Sequence, residues 1–171
     1  MISQKGKKKN MKYRLMEPGE ENEICDLVIH IFNEFIADLY SQRGVRQFLR
    51  YVKPRLLLQR SQANHFVMVA KIQEQIVGMI EVRNFEHISL FYVLKEFQMK
   101  GISKELLRRS KEMCLKNKPD LDQITVNSSP NAVQIYEKLG FHKIGSEQVR
   151  NGIIFTPMIY GLKKIKENRN S

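Results

Sequence analysis

The stretch Gln98-Met99-Lys100-Gly101-Ile102-Ser103 joins a predicted strand to a predicted helix. Residues 87–94 before it are rich in β-branched and aromatic side chains and have the length of a strand. After it, apolar residues between 102 and 114 recur at helical spacing. Gly101 has no Cβ, so another group can approach the backbone closely, and the first-turn N–H groups carry partial positive charge. The stretch therefore predicts a turn that binds a phosphate or pyrophosphate.

Strands and helices alternate on both sides of this turn. Two amphipathic helices follow the first strand, and a further helical turn or two is predicted over residues 56–60. The predicted strands are, in chain order, 12–16, 65–72, 76–83, 87–94, 123–127, 141–145 and 153–162. The last two form a hairpin across Arg150-Asn151-Gly152. The predicted order is β-α-α-β-β-β-α-β-α-β-β.

This order predicts an α/β (α+β) fold with a central mixed sheet flanked by helices. The strand–helix–strand unit over 87–127 implies one parallel pair, formed by a right-handed crossover, in an otherwise antiparallel sheet. If two neighbouring parallel strands part, a cleft opens at their carboxyl ends. Ligands favour such places in open α/β sheets.

Length and charge suggest one basic domain with two tails. The 171 residues suffice for a single core, which we place at 12–163. Of the net charge of +11, residues 1–10 supply four and residues 162–171 a net three, which leaves +4 for 11–161. We predict that residues 1–11 are a disordered basic extension and that 164–171 are a basic tail. This distribution disfavours a nucleic-acid partner.

Several classes of protein do not fit the composition. No apolar run reaches membrane-spanning length, and no apolar run follows the N-terminal lysines as it would in a secretory signal. Cys25 and Cys114 lie on apolar helical stripes, which indicates small buried side chains instead of a disulfide. No His and Cys cluster has the spacing of metal ligands. We predict a cytoplasmic protein without a bound metal.

A second stretch follows the strand at 123–127. It reads Asn127-Ser128-Ser129-Pro130-Asn131-Ala132-Val133-Gln134-Ile135-Tyr136-Glu137-Lys138-Leu139-Gly140-Phe141. With Gln98, Gly101 and Ser103 at the places of a Gln/Arg-x-x-Gly-x-Gly/Ala signature, it resembles the GNAT superfamily of N-acetyltransferases. Ser103 departs from the pattern at the last place, although serine is also small. The resemblance covers roughly residues 12–163 and implies the GNAT fold.

The resemblance also implies an activity and a cofactor. The activity is transfer of an acetyl group from acetyl-CoA to a primary amine of a small molecule or peptide, by direct attack in a ternary complex. Main-chain groups of the strand before the turn would hold the pantetheine arm, and N–H groups over 98–104 the pyrophosphate. The implied cofactor-binding residues are Phe91, Tyr92, Val93, Gln98, Met99, Lys100, Gly101, Ile102, Ser103, Lys104, Asn127, Asn131, Ala132 and Tyr136.

Two residues are the catalytic candidates under this resemblance. Tyr136 is the candidate general acid, because a phenol with a reference pKa of about 10 keeps its proton at neutral pH; a core tyrosine is the structural alternative. Glu81 is the first candidate for the general base, with Glu86 and His87 as alternatives. Strand alternation leaves Glu81 facing either the cleft or solvent. A chain of water molecules would serve without any dedicated side chain.

The sequence does not identify the acceptor. By the resemblance, it is chosen by the first two helices, over 32–52, and by the hairpin near 150–155. Arginines there tend to disfavour a polyamine and to tolerate an acidic acceptor. The competing hypothesis is a GNAT-like non-catalytic module that uses its basic tails to bind RNA or a partner protein. The resemblance leaves a homodimer open.

Overall fold

The computed structural model describes residues 10–162. Most of the predicted extension at 1–11 and the whole predicted tail at 164–171 therefore lie outside the described residues. Met11, which we had placed in the extension, is the first residue of a strand.

Eight strands and five α-helices make up the described part of the chain. The strands are β1 (Met11–Leu15), β2 (His65–Ile72), β3 (Gln75–Arg83), β4 (His87–Val93), β5 (Gln123–Ser128), β6 (His142–Lys143), β7 (Gln148–Arg150) and β8 (Ile153–Gly161). The helices are α1 (Glu21–Phe35), α2 (Gln42–Tyr51), α3 (Pro54–Ser61), α4 (Ile102–Asn117) and α5 (Val133–Lys138). Short 3-10 segments cover Ala37–Leu39, Lys95–Phe97 and Pro130–Ala132.

The predicted fold class is confirmed, with two differences in element order. The helical turn expected at 56–60 is a separate helix, α3, because Pro54 stands at its first position and separates it from α2. The first arm of the closing hairpin is split into β6 and β7, both paired with β8. The predicted turn at Asn151 and Gly152 is present, and both residues have positive φ angles, of 54° and 82°.

The sheet has the order β1-β2-β3-β4-β5-β8-β6, and β4–β5 is its parallel pair. That pair holds only at His87 with Thr125 and at Ile88 with Val126. Beyond Ile88, β4 runs on to Val93 and stays paired with β3 alone. The two neighbouring parallel strands therefore part towards their carboxyl ends and leave a gap there, which is the arrangement in which a cleft is expected.

Each face of the sheet has its own apolar core. The face covered by α4 and α5 buries Leu106 and Tyr136, and the face covered by α1, α2 and α3 buries Phe32 and Leu57. Cys114 is buried in the first core and Cys25 in the second, so the sheet separates the two thiols. The interpretation of both cysteines as buried, unlinked side chains agrees with this placement.

Candidate active site

The turn before α4 presents free backbone donors. Gly101 is the N-cap residue with a φ of +79°, and no side chain caps the helix. The first intrahelical bond is donated by the Glu105 N–H to the Gly101 carbonyl, at 3.0 Å. The N–H groups of residues 102–104 precede it and have no partner within the helix. A Cβ added to Gly101 would meet no atom within 4 Å, so the space in front of these donors is open.

Charges around this turn leave the donors available to an anion. Glu105, the acidic residue in the first turn of α4, is held by Arg108 and Arg109. Hydrogen bonds from these two arginines lower the pKa of Glu105 to about 2. Its carboxylate is thus turned to guanidinium groups along the helix and does not cap the amides. Lys100 lies at the turn itself, with its Nζ 2.8 Å from the Glu96 carbonyl oxygen.

The backbone of β4 forms one wall of the cleft. Leu94 N–H donates to Val77 O on the β3 side, at 2.9 Å. Because successive amides of a strand point to opposite sides, those of Phe91 and Val93 face the gap towards β5. Gln98 joins this wall to the turn, since its Nε2 donates to Val93 O at 3.0 Å. The wall and the turn are thereby one continuous surface.

The opposite wall consists of the end of β5 and the start of α5. Asn127 is exposed near the end of β5. The Asn131 side chain is engaged within the protein: its Nδ2 donates to Phe35 O at 3.0 Å, and its Oδ1 accepts from Ser129 Oγ at 2.8 Å. The bond from Asn131 to Phe35 O ties this wall to the end of α1. Ala132 is half-buried beside it.

Three buried or half-buried tyrosines, which we call the tyrosine cluster, are Tyr92 on β4, Tyr136 on α5 and Tyr40 directly after the 3-10 segment Ala37–Leu39. Tyr136 is 8% exposed, and its ring centre lies 6.2 Å from that of Phe91 on β4. Burial raises the pKa of Tyr136 above its ordinary value. Burial also raises the pKa of Tyr92, and Tyr40 and Tyr136 add to this rise. Burial raises the pKa of Tyr40 to about 12. All three remain protonated phenols at neutral pH.

Glu81 lies on the other face of the sheet from Tyr136, in an ion-pair network. Its side chain is fully buried, so it faces neither open cleft nor solvent. Arg60 Nε and His65 Nδ1 each lie 2.8 Å from its Oε1. Burial raises the pKa of Glu81, but the hydrogen bonds from His65 and Arg60 outweigh it and hold the pKa below its ordinary value. The role of Glu81 as general base stays a prediction. Its lowered pKa makes it a weak proton acceptor.

The two alternative bases are also engaged. The Glu86 carboxylate lies 2.6 Å from Lys118 Nζ. His87 Nδ1 lies 2.7 Å from Thr125 Oγ1, where β4 and β5 are still paired. Burial lowers the pKa of His87 to about 4, with Arg83 adding to the effect and Glu86 opposing it. His87 is therefore neutral at pH 7.

The start of α2 rests on the turn between β7 and β8. Ser41 N–H donates to Gly152 O at 3.3 Å, and Arg43 Nη2 donates to Asn151 Oδ1 at 3.1 Å. Gly44 packs directly on the backbone of Gly152. The two segments predicted to choose the acceptor are thus in contact. The sequence does not reveal this contact, the ion-pair partners of Glu81 or the burial of the Tyr92 side chain. For the contact, the one signal in the sequence is a glycine at each of positions 44 and 152, because glycine allows two backbones to approach closely.

The described residues contain neither a candidate metal site nor a helix that could cross a membrane. Within 10–162, no three His, Cys, Asp or Glu side chains are grouped to hold a metal ion. No helix in the same range has the length and apolar character needed to span a bilayer.

Comparison with known proteins identifies the same fold. A GCN5-related N-acetyltransferase from Rhodopseudomonas palustris aligns with a TM-score of 0.74 at 18% identity, over 88% of this chain and 95% of that one. PaiA N-acetyltransferase from Thermoplasma acidophilum, solved in complex with coenzyme A, aligns with a TM-score of 0.73 at 17% identity, over 89% and 99%. A chimera of spermidine N-acetyltransferase SpeG from Vibrio cholerae and hSSAT aligns with a TM-score of 0.60 at 17% identity, over 88% and 95%.

Family membership follows from a match of the sequence itself. The family profile described as an acetyltransferase (GNAT) domain matches residues 36–162, about three quarters of the chain. The match spans the cleft, the turn before α4 and the tyrosine cluster. The predictions of an N-acetyltransferase and of acetyl-CoA as its cofactor are confirmed at the level of the family. The chain belongs to the GNAT family of acetyl-CoA-dependent N-acetyltransferases.

Proposed function

We propose that the protein transfers the acetyl group of acetyl-CoA to a primary amine of a small molecule or peptide, by direct attack in a ternary complex. The observation that carries this proposal is the continuous surface formed by the uncapped start of α4 and the unpaired edge of β4. The first offers donors for a diphosphate and the second offers a strand edge for the pantetheine arm. Both belong to one cleft that opens at the tyrosine cluster.

The residues of the turn would bind the diphosphate through the backbone. N–H groups of residues 102–104 point along the helix axis into open space, and Gly101 adds no Cβ in front of them. The exposed charges of Lys100 and Lys104 lie beside them. Ser103 is half-buried and small, which is compatible with close approach of a phosphate.

The main chain of β4 would hold and polarise the thioester. Bound acetyl-CoA supplies the acetyl carbonyl that accepts the amine nitrogen and the sulfur that leaves. The amides of Phe91 and Val93 face the gap where this group would lie. An N–H group there would stabilise negative charge that develops on the carbonyl oxygen.

Tyr136 would donate its proton to the departing sulfur. Its buried phenol has a raised pKa and so stays protonated at the pH of reaction. As the new C–N bond forms and the C–S bond breaks, the amine nitrogen loses one proton and the sulfur gains one. Glu81 or a chain of water molecules would take the proton from the amine. The low pKa of Glu81 favours a route through water.

The test begins with cofactor binding and continues with turnover. Calorimetry with about millimolar acetyl-CoA should show saturable heat, and a panel of small amines and peptides should release free CoA for at least one acceptor class. Absence of both the heat and a thermal shift would overturn the proposal. The panel also decides between a small-molecule and a peptide acceptor. The homodimer and the cytoplasmic location stay predictions.

A further inference from the structure

Basic residues occupy one segment of the chain without any acidic residue among them. Between Asp38 and Glu74 the sequence contains no aspartate or glutamate. The segment contains α2, α3 and most of β2. Its basic side chains are Arg43, Arg46, Arg50, Lys53, Arg55, Arg60 and Lys71. Arg60 and Lys71 are engaged with Glu81 and Glu20, so the other five account for the local excess of positive charge.

The three arginines of α2 lie on a single face of the helix. At about 100° per residue, positions 43, 46 and 50 fall within an arc of about 60°. Gly44 and Phe48, the buried residues of α2, lie on the opposite side. All three arginines are exposed, and Lys53 and Arg55 follow as exposed residues at the start of α3. We call these five residues the basic stripe.

The basic stripe is not neutralised by the protein. Within residues 10–162, none of its five members forms an ion pair, and Arg43 bonds instead to the neutral amide of Asn151. By contrast, Arg14 pairs with Glu20, and Arg108 pairs with Glu105. A row of like charges repels itself unless an anion is bound, so the stripe has the character of a binding surface.

The position of the stripe links it to the acceptor. Arg43 follows Tyr40 of the tyrosine cluster by three residues and is bonded to the β7–β8 turn. Arg150, also exposed, is the last residue of β7 and lies directly before that turn. The stripe therefore starts beside the predicted acceptor entrance and runs along α2 away from it.

The length of the stripe selects an extended partner. Arg43 and Arg50 are separated by about 10 Å along the helix axis. An extended peptide covers that distance with about three residues. A single amino acid or other small amine would be too short to contact Arg43 and Arg50 together. The acceptor must also carry an amine, which a nucleic acid lacks in its backbone and sugar.

We propose that the basic stripe is an exosite for an acidic peptide segment that flanks the amine to be acetylated. This inference rests on the proposed function and narrows its acceptor to acidic peptides or protein termini. Carboxylates of the segment would pair with the guanidinium groups along α2. The amine would enter the cleft past the contact between α2 and the β7–β8 turn.

The experiment compares two peptides that differ only in charge. Each has one free N-terminal amine followed by about six glutamates or about six glutamines. For the glutamate peptide, KM should be about tenfold lower at about 50 mM salt, and the difference should shrink at about 500 mM salt because screening weakens surface ion pairs. The double variant R46E/R50E should raise KM for the glutamate peptide about tenfold and leave the Kd of acetyl-CoA unchanged.

A matched control separates local contacts from overall charge. The double variant K12E/K116E makes the same change in net charge at two exposed lysines on β1 and α4. It should leave KM for the glutamate peptide within about twofold of the unaltered protein. An equal effect of both double variants would overturn the exosite, because only long-range charge would then be acting.

Three further outcomes separate the exosite from the proposed function and from RNA binding. Equal KM values for the two peptides would overturn the exosite, while acetyl-CoA binding and turnover of another amine would leave the proposed function standing. Loss of acetyl-CoA binding itself would refute the proposed function instead. Fluorescence anisotropy with a labelled N-acetylated glutamate peptide tests the assignment to a peptide. If an RNA oligomer of equal charge displaced the labelled peptide at a lower concentration than the unlabelled peptide does, that assignment would be overturned.

Discussion

A Cβ atom added to Gly44 would lie 2.1 Å from the carbonyl oxygen of Gly152, so the two glycines join α2 to the β7–β8 turn backbone to backbone. The contact links residues far apart in the sequence. It is reinforced by Ser41, whose N–H and Oγ both lie within hydrogen-bonding distance of the same oxygen. The two segments predicted to select the acceptor are therefore joined through their backbones.

Gly44→Ala should separate these segments. The added methyl meets backbone that cannot rotate away, at a cost of about 1–3 kcal/mol, of which better helix propensity offsets about 1 kcal/mol. We expect the Tm to fall by several degrees and kcat/KM for the acceptor to fall about tenfold. The Kd of acetyl-CoA should not change. Calorimetry and steady-state kinetics measure these quantities.

Gly161→Ala provides the control for Gly44→Ala. A Cβ at Gly161 meets no atom within 4 Å, and this residue is the last of β8. It should change neither Tm nor kcat/KM appreciably. A Gly44→Ala protein with lowered Tm but unaltered kcat/KM would show that the contact matters to stability alone.

Tyr136→Phe should slow turnover and spare cofactor binding. Loss of a general acid costs about 10²–10⁴-fold in rate, while the ring keeps its contacts with Phe91 and Phe141. Because burial raises the pKa of Tyr136, the unaltered enzyme should show no loss of kcat from this group up to about pH 10. Tyr160→Phe is the control, since the Tyr160 hydroxyl accepts a hydrogen bond from Lys111 of α4. An unchanged kcat in Tyr136→Phe would remove Tyr136 from the mechanism.

Gly101→Ala should weaken acetyl-CoA binding by about tenfold or more. Once the residue has a Cβ, keeping a φ of +79° costs about 1–2 kcal/mol, so the turn that presents the free amides should shift. Gly19→Ala is a matched control, because Gly19 has a φ of +101° and equally open surroundings but lies before α1. Calorimetry should find the Kd changed in the first variant alone. Equal Kd values in both would argue against a diphosphate at this turn.

Glu81→Gln should destabilise the fold in a pH-dependent manner. Removing one member of a buried ion-pair network costs about 3–5 kcal/mol. The pKa of Glu81 is lowered in the folded state, so its stabilisation is fully present above the ordinary value of 4.5 and is lost as the pH falls below it. The difference in free energy of unfolding between the two proteins should therefore be constant from about pH 6 to 8 and shrink below about pH 4.5. Urea titrations at several pH values measure it.

The same variant tests Glu81 as the general base. If Glu81 takes the proton, kcat of the folded variant should fall by about 10²-fold or more at neutral pH. Glu20→Gln is the control: Glu20 is also ion-paired, with Arg14 and Lys71, but lies before α1. A folded Glu81→Gln protein with kcat within about threefold of the original would exclude Glu81 as the general base and leave water, Glu86 or His87 to remove the proton.

Local patterns predict the strands and the turn of this fold well. The strand predicted at 65–72 is β2 at His65–Ile72, and the helix predicted after Gly101 begins at Ile102. Both depend on signals within a few residues: side-chain alternation for the strand, and a glycine before an apolar helical stripe for the helix. The parallel pairing of β4 and β5 also follows, because a strand–helix–strand unit of this length forms a right-handed crossover.

Features that depend on distant residues are not predicted in this way. Alternation places Glu81 on one side of β3, but the bulge beside it and the partners Arg60 and His65 decide that it is buried. Likewise, the approach of Gly44 to Gly152 depends on how α2 packs on the last strands. The Asn131 amide, assigned to the cofactor by resemblance, is held by Phe35 O of α1. In each case the missing information is a tertiary contact.

The early end of the β4–β5 pairing makes the sheet incomplete without a ligand. The amides of Phe91 and Val93 have no neighbouring strand, so an arm that lies in the gap should slow their hydrogen exchange. Binding to the folded state alone would also raise the free energy of unfolding, by about 2.7 kcal/mol at a ligand concentration of one hundred times Kd. Protease resistance of this enzyme inside a cell would then rise and fall with the supply of activated acetate.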